Sequence, residues 1–254
     1  MKSFVSSYFK NSDQIEGIKD SFHEVVFIDK NNNFHDLVQK VNIPKNWFDL
    51  LSFSPEEKIE FVLNAWLEVL PFAPEYHEAI LDFFGSLEDI GIVLLKEFRN
   101  SPYTLEMIYS FKEKDLFFRG QVPCDEKKIE GEFSNQLPLD YLAFFKIHSG
   151  FRRFNDFGLI KGENLLISTL KFQQRYLNSL DDIPIYQKIY NPHSLVPFYE
   201  DKNGGVMCFN IASFADDSIG DLCYVSKDFA VNKELDSFSF ASFLDWLCYY
   251  LMQT

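Results

Sequence analysis

The 254-residue chain has little of what most catalytic, metal-binding or membrane proteins need. Its four cysteines, Cys124, Cys208, Cys223 and Cys248, form no CxxC pair, which excludes a zinc ribbon and a thiol redox motif. A chain this long builds a core without disulfide staples, so all four read as buried small apolar residues in a reducing compartment. No basic tract exists, which argues against phosphate-backbone binding and against anionic membrane surfaces. The most apolar stretches, 79–98 and 238–252, are interrupted by Asp82, Glu88, Asp89 and Asp245, so neither is expected to span a bilayer. The N-terminus lacks the apolar stretch and small-residue cleavage site of a secretory signal, and a cytoplasmic location is expected. The five histidines form no HxH or HExxH spacing, and neither a GxSxG elbow nor a P-loop occurs. No cofactor is implied.

What is abundant is phenylalanine, 29 residues, and acid: the net charge is −14, distributed over both halves of the chain. The aromatics supply a large core, and some rings are candidates for a binding surface. The charge keeps the protein in solution and attracts basic partners. Residues 1–120 read as mostly helical. Val25-Val26-Phe27-Ile28 suggests a short strand followed by a turn at 29–33. Ser54-Pro55-Glu56-Glu57 is a helix start: Ser54 caps, Pro55 suits the first position and Glu57 completes a capping box. Ile59, Val62, Leu63, Trp66 and Leu70 then share one face. A second helix is expected over 75–84, closed by Gly85, and a third from Ser86 through Ile90, Val93, Leu94 and Phe98. Three short-linked helices suggest a small bundle. A hairpin over 103–111 and 115–122 ends this region.

Residues 121–254 read as a second, α+β unit. Helices are expected over 126–133, from Leu137-Pro138 to Gly150, over 168–180 with Leu170, Gln174 and Leu177 on one face, and over 239–252. Strands are expected over 157–161, 195–199, 206–211 and 222–226. Pro138 suits a helix entry, and Gly150 suits a left-handed helix close. Asn203-Gly204 suits a type I′ hairpin turn.

The segment 128–151, KIEGEFSNQLPLDYLAFFKIHSGF, resembles the opening of the SUKH superfamily: an amphipathic helix with Ile129 and Phe133, a Leu137-Pro138 turn, and a helix carrying Tyr141, Leu142, Phe144 and Phe145. Ser149-Gly150 stands where that family usually has Asn-Gly. LVPFYEDKNGGVMCFNIA at 195–212 is similar to the family's Pro-containing strand, acidic turn and following strand, and SFASFLDWLCYYL at 239–251 to its closing helix. Residues 1–120 have no counterpart. The resemblance implies a mixed antiparallel sheet flanked by helices. It also implies a non-enzymatic role as a bacterial immunity protein that occludes a cognate toxin, often a nuclease, or as an intracellular scaffold.

Several residues are candidates for function. His148 sits at a helix C-terminus, where an imidazolium meets the negative end of the dipole. His193 lies in a loop. A hydrolase using either histidine with a loop carboxylate is the enzymatic alternative. Cys208, inside a strand, reads as core. Glu200, Asp201, Asp216, Asp217 and Asp221 fall in loops around the strands with only Lys202 among them, and Tyr199 precedes them. They read as a solvated loop face, as an acidic patch for a basic protein, or as a divalent-metal site that fits no EF-hand spacing. The protein-binding reading takes Tyr199, Glu200, Asp201, Asp216, Asp217 and Asp221 as contacts for a basic toxin domain, with no metal.

Overall fold

The capping box read from the sequence is formed in the computed structural model. The Ser54 hydroxyl accepts from the Glu57 amide, and the Glu57 carboxylate accepts from the Ser54 amide at 2.7 Å. The structure describes residues 3–10, 22–29, 41, 43–113, 115–124, 136–179, 192–211, 222–227 and 239–253. The helix expected over 126–133 lies outside them. In chain order the elements are α1 (Ser3–Lys10), β1 (Glu24–Ile28), α2 (Lys45–Asp49), α3 (Pro55–Val69), α4 (Pro74–Gly85), β2 (Leu87–Lys96), β3 (Thr104–Phe111) and β4 (Phe117–Gln121). Then follow α5 (Leu139–Phe145), β5 (Phe151–Arg153), β6 (Gly158–Leu159), α6 (Leu165–Ser179), β7 (Leu195–Glu200), β8 (Val206–Asn210), β9 (Leu222–Val225), β10 (Ser239–Phe240) and α7 (Phe243–Met252). They make an α+β fold of two antiparallel five-stranded sheets, ordered β1-β2-β3-β4-β5 and β10-β9-β8-β7-β6, flanked by helices.

The helix expected from Ser86 to Phe98 is a strand. β2 is apolar on both faces, and such a run fits a helical template as well as an extended one. Alternation along the strand decides it. Ile92 and Leu94 face Trp66, Ile80, Phe83 and Phe84 of α3 and α4, while Val93 and Leu95 face Val5, Tyr8 and Phe9 of α1. The first sheet is therefore covered on both sides, and no three-helix bundle forms over 55–98. The expected hairpin at 103–122 is present as β3 and β4.

β5 joins this first sheet through Phe118↔Arg153 and Gly120↔Phe151, so the strand pairing crosses residue 121, where the sequence reading divides the chain. One apolar core runs on from α3 and α4 through Phe144 of α5 to Phe198 and Phe209 of the second sheet and Phe243, Trp246 and Leu247 of α7. The opposite face of the second sheet, with Leu195, Cys208 and Cys223, is covered by Phe172 and Tyr176 of α6. The buried face of α6 thus differs from the expected one: Leu170 is exposed, and Thr169, Phe172 and Tyr176 point inward.

Two turn assignments change. α5 ends at Phe145, before Gly150, and Gly150 is not left-handed; the positive-φ glycines are Gly158 and Gly204. The β7–β8 connection is a three-residue loop and not a type I′ turn. Gly204 N–H donates to the Asp201 carbonyl at 3.0 Å, and Asp201 N–H to the Gly205 carbonyl at 2.9 Å. Gly204, at φ 82°, takes the left-handed position that closes such a loop.

Asp140 ties the helices of the C-terminal region together. From the first turn of α5 its carboxylate accepts from the Leu244 amide of α7 at 3.0 Å, adding to the Ser242 cap on Asp245.

Candidate functional site

A cleft of about 540 Å³ lies between the β7–β8 turn and α7. A β-bulge in β7 builds one wall. The register slips between Pro197 and Tyr199, so Phe198 and Tyr199 both lie against α7, each packed on the Trp246 ring. Pro197 carries no amide hydrogen and is tolerated at the irregularity. The other wall is one face of α7, where Trp246 and Tyr250, four residues apart, stack at 5.1 Å with their planes 12° apart. Tyr249 and Phe240 line the rim with their rings tilted at 48° and 5.2 Å apart, and Tyr249 is 46% exposed.

Asp156, in the turn after β5, lies at the base, 7% exposed. Its Oδ2 accepts from the hydroxyls of Tyr199 and Tyr250, and its Oδ1 accepts from the Phe157 amide at 2.9 Å. Burial pushes its carboxyl above the usual range, and the tyrosine hydrogen bonds and Arg153 only partly offset this. Burial also raises the Tyr199 and Tyr250 phenols, with Asp156 contributing, so both remain protonated donors. Arg153 lies over the Tyr250 ring at 4.9 Å and donates to the Gln253 side chain.

The sequence-derived contact residues separate in the structure. Tyr199 and Asp201 line this cleft. Asp201 shapes the turn: its Oδ1 accepts from Asn203 and Gly205 amides at 2.7 and 3.0 Å, and its Oδ2 from the Tyr224 hydroxyl. Glu200 is turned to the other face of the sheet by strand alternation. It lines a second cleft, with Arg119, Arg152 and Glu106. Burial raises its carboxyl while Arg175 of α6 opposes the rise. Asp216, Asp217 and Asp221 lie outside the described residues.

At the second cleft Glu106 and Arg119 form a buried ion pair at 2.6 Å, with Arg119 1% exposed and set against the rings of Phe9 and Phe22. Burial alone would raise Glu106. The Arg119 and Arg152 charges, with hydrogen bonds from Arg119 and Gln121, outweigh it and hold the carboxyl below its usual range.

His148 is not the imidazolium at a helix C-terminus read from the sequence. It lies beyond the end of α5, 1% exposed, with its ring on Gly120 of β4, where an added Cβ would come within 2.4 Å of the imidazole. Burial brings its pKa down to about 4. Its tautomer follows from its partners. The Gln121 carbonyl can only accept, so Nδ1–H donates to it at 2.7 Å. Nε2 then accepts from the Tyr109 hydroxyl at 2.6 Å, whose oxygen accepts from Trp66 Nε1–H at 3.3 Å. Both ring nitrogens are engaged in structural bonds, which leaves none for proton transfer to a substrate. His193 is exposed, in the turn before β7. All four cysteines are buried and outside any disulfide, and burial pushes the Cys208 thiol up. Among the described residues no group of three or more His, Cys, Asp or Glu is placed to hold a metal ion. No helix among them is long and apolar enough to cross a membrane.

Sequence reasoning found Tyr199 and Asp201 but missed Asp156, Trp246, Tyr249 and Tyr250. The i, i+4 spacing of Trp246 and Tyr250 was the available signal. No local pattern marks Asp156, whose partners lie 43 and 94 residues away.

No curated protein and no solved structure matched the chain. A family model did match, over residues 125–247, which span α5, β5 to β10, α6 and the first half of α7. That region, which supplies most of the cleft, is similar to the SMI1 / KNR4 family (SUKH-1).

Proposed function

We propose that the protein is a non-enzymatic protein-binding module that acts as an immunity protein, covering the active surface of a cognate toxin. The observation that carries this reading is the cleft: Tyr and Trp rings from β7, β9 and α7 form a concave wall with carboxylates at its base and turn. Rigid aromatic side chains in a preformed concavity are the residues that dominate binding energy at protein interfaces. The similarity of residues 125–247 to the SMI1 / KNR4 family (SUKH-1) supports a binding role. The net charge of −14 favours a basic partner, a nuclease domain among them, by speeding encounter. The loop acids Asp216, Asp217 and Asp221 extend the contact beyond the cleft in this reading, and occlusion in the cytoplasm needs no cofactor.

Co-expression with candidate toxin domains from the gene's neighbourhood tests the proposal. The wild-type protein is expected to restore growth and to form an isolable complex. The Tyr199→Ala/Tyr249→Ala pair is expected to lose roughly 10²-fold in affinity through a faster off-rate. Protection that survives unchanged in the double variant places the interface elsewhere. Failure of every neighbouring toxin domain to bind removes the immunity reading and leaves an adaptor role.

A further inference from the structure

We propose that the cleft between the β7–β8 turn and α7 seats an arginine side chain of the partner, its guanidinium set against the Tyr249 and Phe240 rings and directed at the Asp156 and Asp201 carboxylates. This deepens the protein-binding reading and rests on it. The argument begins with where the protons are. The hydroxyls of Tyr199 and Tyr250 donate to Asp156, and that of Tyr224 donates to Asp201. Each phenol proton is therefore spent on a carboxylate. What these groups turn to an incoming ligand is oxygen lone pairs, negative charge and ring faces. Such a surface is complementary to a flat cation rich in N–H donors.

Two observations favour arginine over lysine. The walls are planar rings, on which a guanidinium stacks and an ammonium does not. A guanidinium is also less strongly hydrated, so it enters a partly closed cleft at lower desolvation cost. Arginine makes such contacts within the protein itself: Arg153 lies over Tyr250 at 4.9 Å and Arg119 over Phe9 at 5.2 Å, beside one lysine contact, Lys96 over Tyr103 at 5.0 Å. The cationic groups lining the cleft are Arg153 and Lys202. Arg153 is held on the Tyr250 ring and bound to the Tyr250 carbonyl and the Gln253 side chain. Lys202 is exposed at the turn tip and opposes an incoming cation. Asp156 is the group that gains most, because burial disfavours its charge until a cation arrives.

The test titrates the full chain with N-acetyl-arginine amide, its neutral isostere N-acetyl-citrulline amide, and free L-arginine, reading the Trp246 indole N–H by NMR with Trp246→Phe for assignment. The capped arginine is expected to shift that signal saturably and to bind roughly tenfold more tightly than the citrulline form. Tyr249→Ala and Asp201→Asn are each expected to weaken it about fivefold, and Lys202→Glu to tighten it about threefold. These variants lie at the rim and the turn, so a matching thermal melt separates lost binding from lost folding. Equal binding of the arginine and citrulline forms, or none by either, overturns the inference. So does free L-arginine binding roughly tenfold more tightly than the capped form, which would mark a site for the amino acid itself. A toxin complex indifferent to saturating capped arginine overturns this inference and leaves the protein-binding reading standing. Arginine binding without growth protection sustains the site and counts against the immunity reading alone.

Discussion

Two tyrosine networks in this molecule use similar parts to opposite ends. In the first sheet, Trp66, Tyr109, His148 and the Gln121 carbonyl form a chain in which each donor meets one acceptor, with Tyr109 and Trp66 fully buried. In the second sheet, Tyr199 and Tyr250 converge on one oxygen of Asp156 beside an open cleft. The closed chain fixes one tautomer and rigidifies a core. The open cluster holds negative charge against its burial cost, and that unrelieved cost is what a ligand can relieve. The difference teaches that hydrogen bonding alone does not mark a functional site. An incompletely compensated charge next to accessible rings is the feature on which the proposed site rests.

The comparison can be broken or sharpened by three measurements. The largest effect is expected beside the closed chain, in the buried ion pair of the same sheet. Arg119→Ala leaves Glu106 charged and 3% exposed without its main partner, and is expected to lose about 4 kcal/mol of stability by denaturant titration. A loss below about 1 kcal/mol would put the pair in the class of surface ion pairs and remove the claim that this half is sealed.

Next in size is a pH dependence. The folded pKa of His148 is lowered to about 4 from an ordinary 6.5, so the unfolded chain takes up a proton that the folded one refuses. Its full contribution is therefore present above about pH 6.5 and is lost as pH falls towards 4, by about 3 kcal/mol in all. Glu106, held below its usual range, adds a loss of the same sign at lower pH. His148→Gln is expected to flatten the profile between pH 6.5 and 4. A slope that persists in that variant would assign it to other groups and show that the histidine is not sealed.

The smallest effect is expected at the open cluster. Tyr199→Phe removes one of the two hydroxyl donors to Asp156 and keeps the ring against Trp246, so the cost is about 1 kcal/mol by thermal or chemical melt. A loss above about 3 kcal/mol would mean that the cleft cluster is as structural as the His148 chain.

What could be read from the residues was local. The capping box at Ser54, the hairpin at 103–122 and the strand–turn–strand around Asp201 are governed by neighbours in the chain, and each forms, the last with a three-residue loop in place of the expected type I′ turn. β2 was misread because its apolar run serves two faces, and the helix covering the second face, α1, lies far upstream. The branched Ile90, Ile92 and Val93 were the clue to an extended run. The state of His148 was misjudged because its surroundings come from Trp66, Tyr109 and Gln121, none adjacent in sequence. In the cleft, Tyr199 and Asp201 were legible as polar residues at a strand end. Glu200 alternates to the other face, but that Tyr199 takes the α7 side depends on a bulge that no residue pattern announces.

The position of α7 has a further consequence for timing. Trp246, Tyr249 and Tyr250 supply one wall of the cleft, and the amide of Leu244 must reach Asp140 across most of the SUKH-1 region. On the ribosome, residues up to β8 can emerge and pair while that wall is still inside the exit tunnel. The cleft proposed for recognition therefore exists only once α7 has docked on β7, and a nascent chain short of α7 lacks that wall.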